Sequence, residues 1–95
     1  MEFLLDGRRV DSRQMLHRLL AEGLGFPAWY GGNLDALHDC LLDLAEPTTL
    51  TILREAALRQ SLGGYAAAFF HVLEDSTLEN PNLTVFREES SSVRE

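Results

Sequence analysis

Residues 26–44 read FPAWYGGNLDALHDCLLDL, and this stretch predicts a loop that leads directly into an amphipathic helix. Pro27 ends any preceding helix, and Gly31 and Gly32 can adopt backbone angles that are closed to other residues. Asn33 is a good N-cap, because its side-chain oxygen can accept a hydrogen bond from the first turn of a helix that begins at the next residue.

The predicted helix has two chemically different faces when its residues are placed about 100° apart. The apolar face consists of four leucines with a cysteine at its edge: Leu34, Leu37, Leu41, Leu44 and Cys40. The opposite face carries three carboxylates, four residues apart, with two residues on its flank: Asp35, Asp39 and Asp43, flanked by His38 and Leu42. Like charges at this spacing destabilise a helix by about a few tenths of a kcal/mol per pair, and Asp43 falls near the negative end of the helix dipole. These three aspartates, named the acidic column below, are therefore either a solvated face or a surface for a basic partner.

Two aromatic residues, Trp29 and Tyr30, lie just before the glycines and the acidic column. Exposed aromatic rings beside a charged face are typical anchors of protein–protein interfaces. Such rings can also pack under a loop, and we expect at least one of the two to be buried and the other to be available. The loop therefore favours a partner-binding surface.

The sequence on both sides of this stretch alternates between strand and helix patterns. Three short apolar or β-branched runs predict strands at Glu2–Leu5, Thr49–Leu53 and Leu83–Phe86. Three further helices are predicted: one capped by Ser12 that ends at Gly23 or Gly25, one over Glu55–Leu62, and one from Tyr65 to about Ser76. This alternation is typical of an α/β domain with a parallel sheet. We expect residues 1–87 to form the domain and residues 88–95, EESSSVRE, to be a mobile tail.

Composition and charge fit one small intracellular domain. The 95 residues have a net charge of −7 and one cysteine, so no intrachain disulfide can form, which suits a reducing compartment. No apolar run is long enough for a membrane helix, and the N-terminus lacks the features of a secretory signal, so we expect a cytoplasmic protein without membrane contact. The negative charge argues against direct nucleic acid binding and is compatible with a basic partner, although many proteins are acidic merely for solubility.

An enzyme is the main rival interpretation, and the sequence gives it little support. His38 and Cys40 are two residues apart on a helix, so their side chains point about 200° away from each other and cannot form a catalytic pair. His17 and His71 lie in separate predicted helices without the spacing of metal ligands. No phosphate-binding loop or dinucleotide motif is present. We therefore expect no catalytic residues, no metal and no cofactor.

Residues 27–41 closely resemble the signature of the barstar family. That signature has a proline, any residue, two aromatics, glycine, any residue, Asn-Leu-Asp-Ala-Leu, a variable position and Asp-Cys-Leu, and the match is ungapped. The order of strands and helices is also similar over most of residues 1–87. The resemblance implies a three-stranded parallel sheet with about four helices. It also implies a proteinaceous inhibitor that forms a one-to-one complex with a small secreted guanyl-preferring bacterial ribonuclease.

The resemblance further implies roles for individual residues. Asp39 would mimic the RNA phosphate in the nuclease active site, and Asp35 would neutralise a second basic group. Trp29 stands where the family has a tyrosine that packs on the catalytic histidine, and Asp75 falls where the family has a glutamate at the rim. The predicted partner-binding set is Trp29, Tyr30, Gly31, Gly32, Asn33, Leu34, Asp35, His38, Asp39, Leu42, Asp43 and Asp75.

Four positions depart from the inhibitor for which the family is named. His38 replaces a tryptophan, Leu42 replaces a polar residue, Leu44 replaces an aromatic residue, and Gly32 replaces an acidic residue. These departures suggest a different ribonuclease or a different affinity for the same type. They also leave open a second interpretation, in which the barstar scaffold binds another basic protein or toxin without inhibiting a ribonuclease. Competition with RNA or a mononucleotide would distinguish the two.

Overall fold

Three strands and four helices make up the computed structural model, which describes residues 1–88. The strands are β1 (Glu2–Asp6), β2 (Thr48–Leu53) and β3 (Leu83–Glu88). The helices are α1 (Arg13–Leu24), α2 (Leu34–Leu42), α3 (Glu55–Leu62) and α4 (Gly64–Glu79), and a short 3₁₀ turn covers Gly7–Arg9. Of the predicted tail, Glu88 is the last residue of β3, and residues 89–95 lie outside the described part of the chain.

The strands form one parallel sheet in the order β1-β2-β3, which confirms the predicted α/β class. Alternate residues of the central strand, among them Leu50 and Ile52, are fully buried beneath the helices. On the opposite face Leu4 and Phe86, which flank Thr51 in register, are more than half exposed. The core therefore lies between one face of the sheet and the helices.

Leucines from several elements supply most of this core. Leu16 and Leu20 of α1, Leu37 and Leu41 of α2, and Phe69 of α4 are fully buried together with the central strand. Each such side chain contributes on the order of 1.5–3 kcal/mol to stability when it is removed from water. Because α2 gives its apolar face to this core, its opposite face is fixed toward solvent.

Helix α3 is joined to strand β3 through one buried carboxylate. Glu55, which is 5% exposed, accepts hydrogen bonds from Arg59 Nε at 2.7 Å and from Arg87 Nε and Nη2 at 3.0 and 2.6 Å. Both guanidinium groups also lie over the ring of Phe70, at 4.9 and 4.1 Å from its centroid. The bonds from Arg87 in particular lower the pKa of Glu55 to about 2.

The predicted helix ends are confirmed in part. Ser12 caps α1 through a bond from the backbone N–H of Met15 at 3.1 Å, and Gly25, with φ at 71°, ends the helix. The prediction that the last helix ends near Ser76 is wrong by about one turn, because the helix continues to Glu79. Ser76 is fully buried inside the helix, and Asn80 leaves the helical conformation just before a proline.

None of the helices in residues 1–88 is long and apolar enough to cross a membrane.

Candidate functional site

Helix α2 begins and is oriented as its sequence predicts. Asn33 has extended backbone angles, and its Oδ1 accepts a hydrogen bond from the backbone N–H of Ala36 at 2.8 Å. Leu37 and Leu41 are fully buried, and Cys40 is 9% exposed. These contacts fix the rotation of the helix and turn its acidic face to solvent.

The acidic column lies on this exposed face. Asp35 and Asp39 belong to α2, whereas Asp43, which was predicted on the helix, is its C-cap residue, one position beyond the last helical residue. Within residues 1–88 no basic group and no hydrogen-bond donor lies within bonding distance of the three carboxylates. In contrast, Asp6 and Glu55 each have arginine partners. Residues 1–88 therefore leave the negative charge of the column uncompensated.

The end of α2 is held by asparagines from the segment between α4 and β3. The Nδ2 group of Asn80, a buried residue, donates to the carbonyl oxygens of Leu41 at 2.9 Å and Leu44 at 3.1 Å. Asn82 Nδ2 donates to the same Leu44 carbonyl at 3.0 Å. Carbonyl groups at a helix end have no partner within the helix. The two asparagine side chains supply hydrogen-bond donors to these carbonyl groups, and they thereby fix the position of Asp43, which lies between Leu41 and Leu44 in the chain.

The two aromatic residues of the loop are placed differently, as expected. Trp29 is 79% exposed. Tyr30 is half-buried, with its ring 4.9 Å from that of Phe26 and its hydroxyl bonded to His17. Trp29 is thus available to a partner next to the acidic column, while Tyr30 anchors the loop.

A buried histidine connects this loop to two helices. His17, which is 4% exposed, has Nδ1 at 2.6 Å from the hydroxyl oxygen of Tyr30 and Nε2 at 2.7 Å from that of Tyr65 in α4. Burial lowers the pKa of His17 and raises the pKa values of both tyrosines, although the Arg13 guanidinium, 4.4 Å from the Tyr65 ring centroid, opposes the shift of that tyrosine. A neutral imidazole donates from one nitrogen and accepts at the other, so it satisfies both hydroxyl groups.

Of the two loop glycines, Gly31 and Gly32, only Gly32 has a backbone angle that favours glycine. Gly32 has φ at 69°, which strains any residue with a side chain. A Cβ atom at Gly31 would instead lie 3.4 Å from the Cβ of Ala36 and from the Nδ2 of Asn33. The absence of a side chain at Gly31 keeps backbone exposed beside the N-terminus of α2.

The flank of α2 faces the end of α4, a contact that the sequence did not predict. The side chain of His38 is half-buried, and its Nε2 lies 3.5 Å from Oε2 of Glu79. Asp75 precedes Glu79 by one helical turn and lies 3.7 Å from His71 Nε2. Acidic side chains therefore extend from the column onto α4. The spacing of four residues between Asp75 and Glu79 is the signal that could have added Glu79 to the predicted set.

The chemistry of Cys40 and its neighbours differs from that of a catalytic or metal site. Burial raises the pKa of the Cys40 thiol, and the charges of Asp43 and Asp39 raise it further, so the reactive thiolate is disfavoured. Across residues 1–88, no cluster of three or more histidine, cysteine, aspartate or glutamate residues is arranged to hold a metal ion.

The predicted binding residues lie in the loop before α2, on α2 with its C-cap, and on α4, which contacts α2 through Glu79 and His38. The exposed members are Trp29, Gly31, Gly32, Asn33, Asp35, Asp39 and Asp43, and the half-buried members are Tyr30, Leu34, His38, Leu42 and Asp75. An exposed ring together with uncompensated carboxylates is suited to binding a cationic partner.

Two comparisons with known proteins agree with this geometry. A family model described as "Barstar (barnase inhibitor)" matches residues 1–89, which include every described element. The chain is also 35% identical over 79 residues to a protein of Bacillus subtilis (strain 168) named "Putative ribonuclease inhibitor YrdF". That alignment covers 82% of this chain and 87% of the relative.

Proposed function

The chain belongs to the barstar family of ribonuclease inhibitors, and from this membership we propose that it blocks the active site of a small basic bacterial ribonuclease. The target is a secreted, guanyl-preferring enzyme, and the inhibitor acts in the cytoplasm as a one-to-one complex without a cofactor. The surface that makes the contact is the loop around Trp29 together with the acidic column.

The uncompensated acidic column carries this proposal. A ribonuclease active site must hold the phosphate groups of RNA, so it presents arginine, lysine and histidine donors. Carboxylates that have no partner among the described residues of the free inhibitor can take those donors without first breaking ion pairs within residues 1–88. Bidentate bonds between arginine and carboxylate add both strength and fixed geometry. The three aspartates therefore suit the role of a phosphate mimic.

Within the column, Asp39 is the central carboxylate and takes the position of the RNA phosphate. Asp35, one turn closer to the loop, pairs with a second basic group of the nuclease. Trp29, in the loop before α2, is largely exposed, and it packs on the catalytic histidine of the enzyme. Aromatic rings of this kind bury a large area on binding and often dominate the affinity of an interface.

The function is tested by titrating the protein against several small secreted guanyl-preferring ribonucleases and measuring residual RNA cleavage. We expect inhibition that is complete at one equivalent and is relieved by excess guanosine mononucleotide. Asp39→Ala should raise the dissociation constant by a factor of about 30 or more. The variant lacks a carboxylate that is buried in the complex, so the basic groups of the nuclease that it contacts are left unpaired.

Glu2→Ala is the matched control for Asp39→Ala. It removes the same charge from an exposed position on β1, in the sheet rather than on the loop or α2, and it should leave inhibition nearly unchanged. Inhibition that survives in Asp39→Ala would contradict the phosphate-mimic mechanism. Absence of inhibition across these enzymes, even at low salt, would overturn the proposed function and favour another basic partner.

A further inference from the structure

A groove runs beneath Trp29, between the end of α1 with its following loop and the end of α2. Its volume is about 220 Å³, and its apolar walls include Phe26, Trp29 and Leu44. The buried thiol of Cys40 lines its inner side, and Asp43 stands at its edge. The groove is thus lined mainly by apolar residues with one carboxylate, and it shares Trp29 and Asp43 with the proposed nuclease-binding surface.

The electrostatics of the groove favour a positive charge. Among the described residues that line it, none is basic, and the carboxylate of Asp43 has no ion pair within residues 1–88. Asp43 also caps the C-terminus of α2, where the helix dipole attracts cations. Burial raises the pKa of the Cys40 thiol, and the charges of Asp43 and Asp39 raise it further, in keeping with a negative potential at the wall that Cys40 lines. The exposed indole of Trp29 offers a further surface on which a flat cation can stack.

We propose that this groove binds the side chain of one arginine of the partner, with the guanidinium group between Trp29 and the carboxylate of Asp43. The aliphatic part of an arginine would lie along Phe26 and Leu44, because such stems pack on apolar surface while the head group stays polar. A guanidinium group can stack on an aromatic ring and bond a carboxylate at the same time, which the ammonium group of lysine does less well. The inference rests on the proposed function only for the identity of the partner. It gives Asp43, the last member of the acidic column, a role in specificity that is separate from the phosphate mimicry of Asp39.

A direct test uses the fluorescence of Trp29, which is the only tryptophan in the chain. The isolated protein is titrated with N-acetyl-arginine amide, and N-acetyl-citrulline amide serves as the uncharged probe of nearly equal shape. We expect a saturable spectral change with the arginine probe only, with a dissociation constant on the order of millimolar, since a single side chain gains little binding energy. The change should disappear in Asp43→Asn and persist in Glu46→Gln, which removes a nearby exposed charge outside the groove. An equal response to citrulline, no response at all, or an unchanged response in Asp43→Asn would overturn the proposal.

A second test uses the complex with an inhibited ribonuclease. Asp43→Asn should weaken binding roughly tenfold, as expected for a lost charge-assisted bond, and Glu46→Gln should not. Each surface arginine of the nuclease is replaced by alanine in turn. For one of these nuclease variants, Asp43→Asn should cause almost no further loss of affinity. If the wild-type protein inhibits but no arginine is coupled to Asp43, the groove proposal fails and the proposed function stands. If the wild-type protein inhibits no ribonuclease, the proposed function fails, and the fluorescence titration alone decides the groove.

Discussion

The Nδ1 atom of His17 in α1 lies 2.6 Å from the hydroxyl oxygen of Tyr30, in the loop that carries Trp29. The second nitrogen of the same ring is bonded to Tyr65, so one buried imidazole ties the loop to α1 and α4. The exposed tryptophan therefore projects from a loop whose base is fixed. Such preorganisation lowers the entropy that must be lost on binding.

Stability should decrease in mild acid because of this histidine. Burial lowers the pKa of His17 below its usual 6.5, so as the pH falls the unfolded chain takes up this proton before the folded chain does. The free energy of unfolding is then fully retained above about pH 6.5 and decreases as the pH falls toward the lower pKa of the folded state. Urea unfolding of the wild-type protein at about pH 7.5 and about pH 5 should show this loss, and His17→Gln should show less of it. His71→Gln is the control for loss of one histidine, and equal flattening in both variants would contradict the assignment to His17.

The contacts of His17 also show which parts of the structure could be predicted from the sequence and which could not. The caps at Ser12 and Asn33 depend on bonds to residues three positions away, so local sequence was enough to predict them. The bond between His17 and Tyr65 joins residues 48 positions apart, and neither residue type specifies the other. They come together only because α1 and α4 contribute to the same core.

The candidate site divides in the same way. Helical periodicity predicted the acidic column, because the three aspartates are spaced four residues apart along α2 and its C-cap. The contact between His38 and Glu79 joins two helices, and periodicity within either helix contains no information about it. The groove beneath Trp29 is formed by two separate segments of the chain, so its apolar residues resemble ordinary core positions when the sequence is considered alone.

Replacement of Glu55 by glutamine should be strongly destabilising. The variant keeps the shape of the side chain but leaves the guanidinium groups of Arg59 and Arg87 without their shared carboxylate. We expect a loss on the order of 3 kcal/mol in the free energy of unfolding at neutral pH, measured by urea denaturation. The pKa of Glu55 is lowered from 4.5 to about 2, so its contribution is present above pH 4.5 and is lost as the pH falls from 4.5 toward 2. Glu22→Gln, at an exposed pair with Arg18, should change stability by less than about 1 kcal/mol.

Charge and aromatic contacts should affect different steps of binding. Asp35→Asn removes part of the field that attracts a basic nuclease, so we expect a lower association rate constant and a weaker dependence on salt. Trp29→Ala removes contact area but no charge, so we expect a dissociation rate constant that is higher by roughly tenfold or more and a nearly unchanged association rate constant. Stopped-flow or surface-based kinetics at two ionic strengths would separate the two effects. Equal changes in both rate constants for both variants would contradict this division.

Asn80 should set the geometry of the binding surface from a distance, although it lies outside the predicted binding set. Its Nδ2 donates to the carbonyl groups at the end of α2. Asn80→Asp keeps the size of the side chain but replaces this donor with a carboxylate that faces those oxygens, so we expect a loss of about 2 kcal/mol or more in the free energy of unfolding. Amide hydrogen exchange should increase first in the last turn of α2, which loses its cap. Since Asp43 is the C-cap of that turn, the response of Trp29 fluorescence to the arginine probe should weaken in this variant even under conditions where it stays folded. Asn82→Asp, which affects one of the same carbonyls, is the matched comparison and should show a smaller effect on all three measurements, because Asn82 is bonded only to the Leu44 carbonyl at this helix end and is less buried.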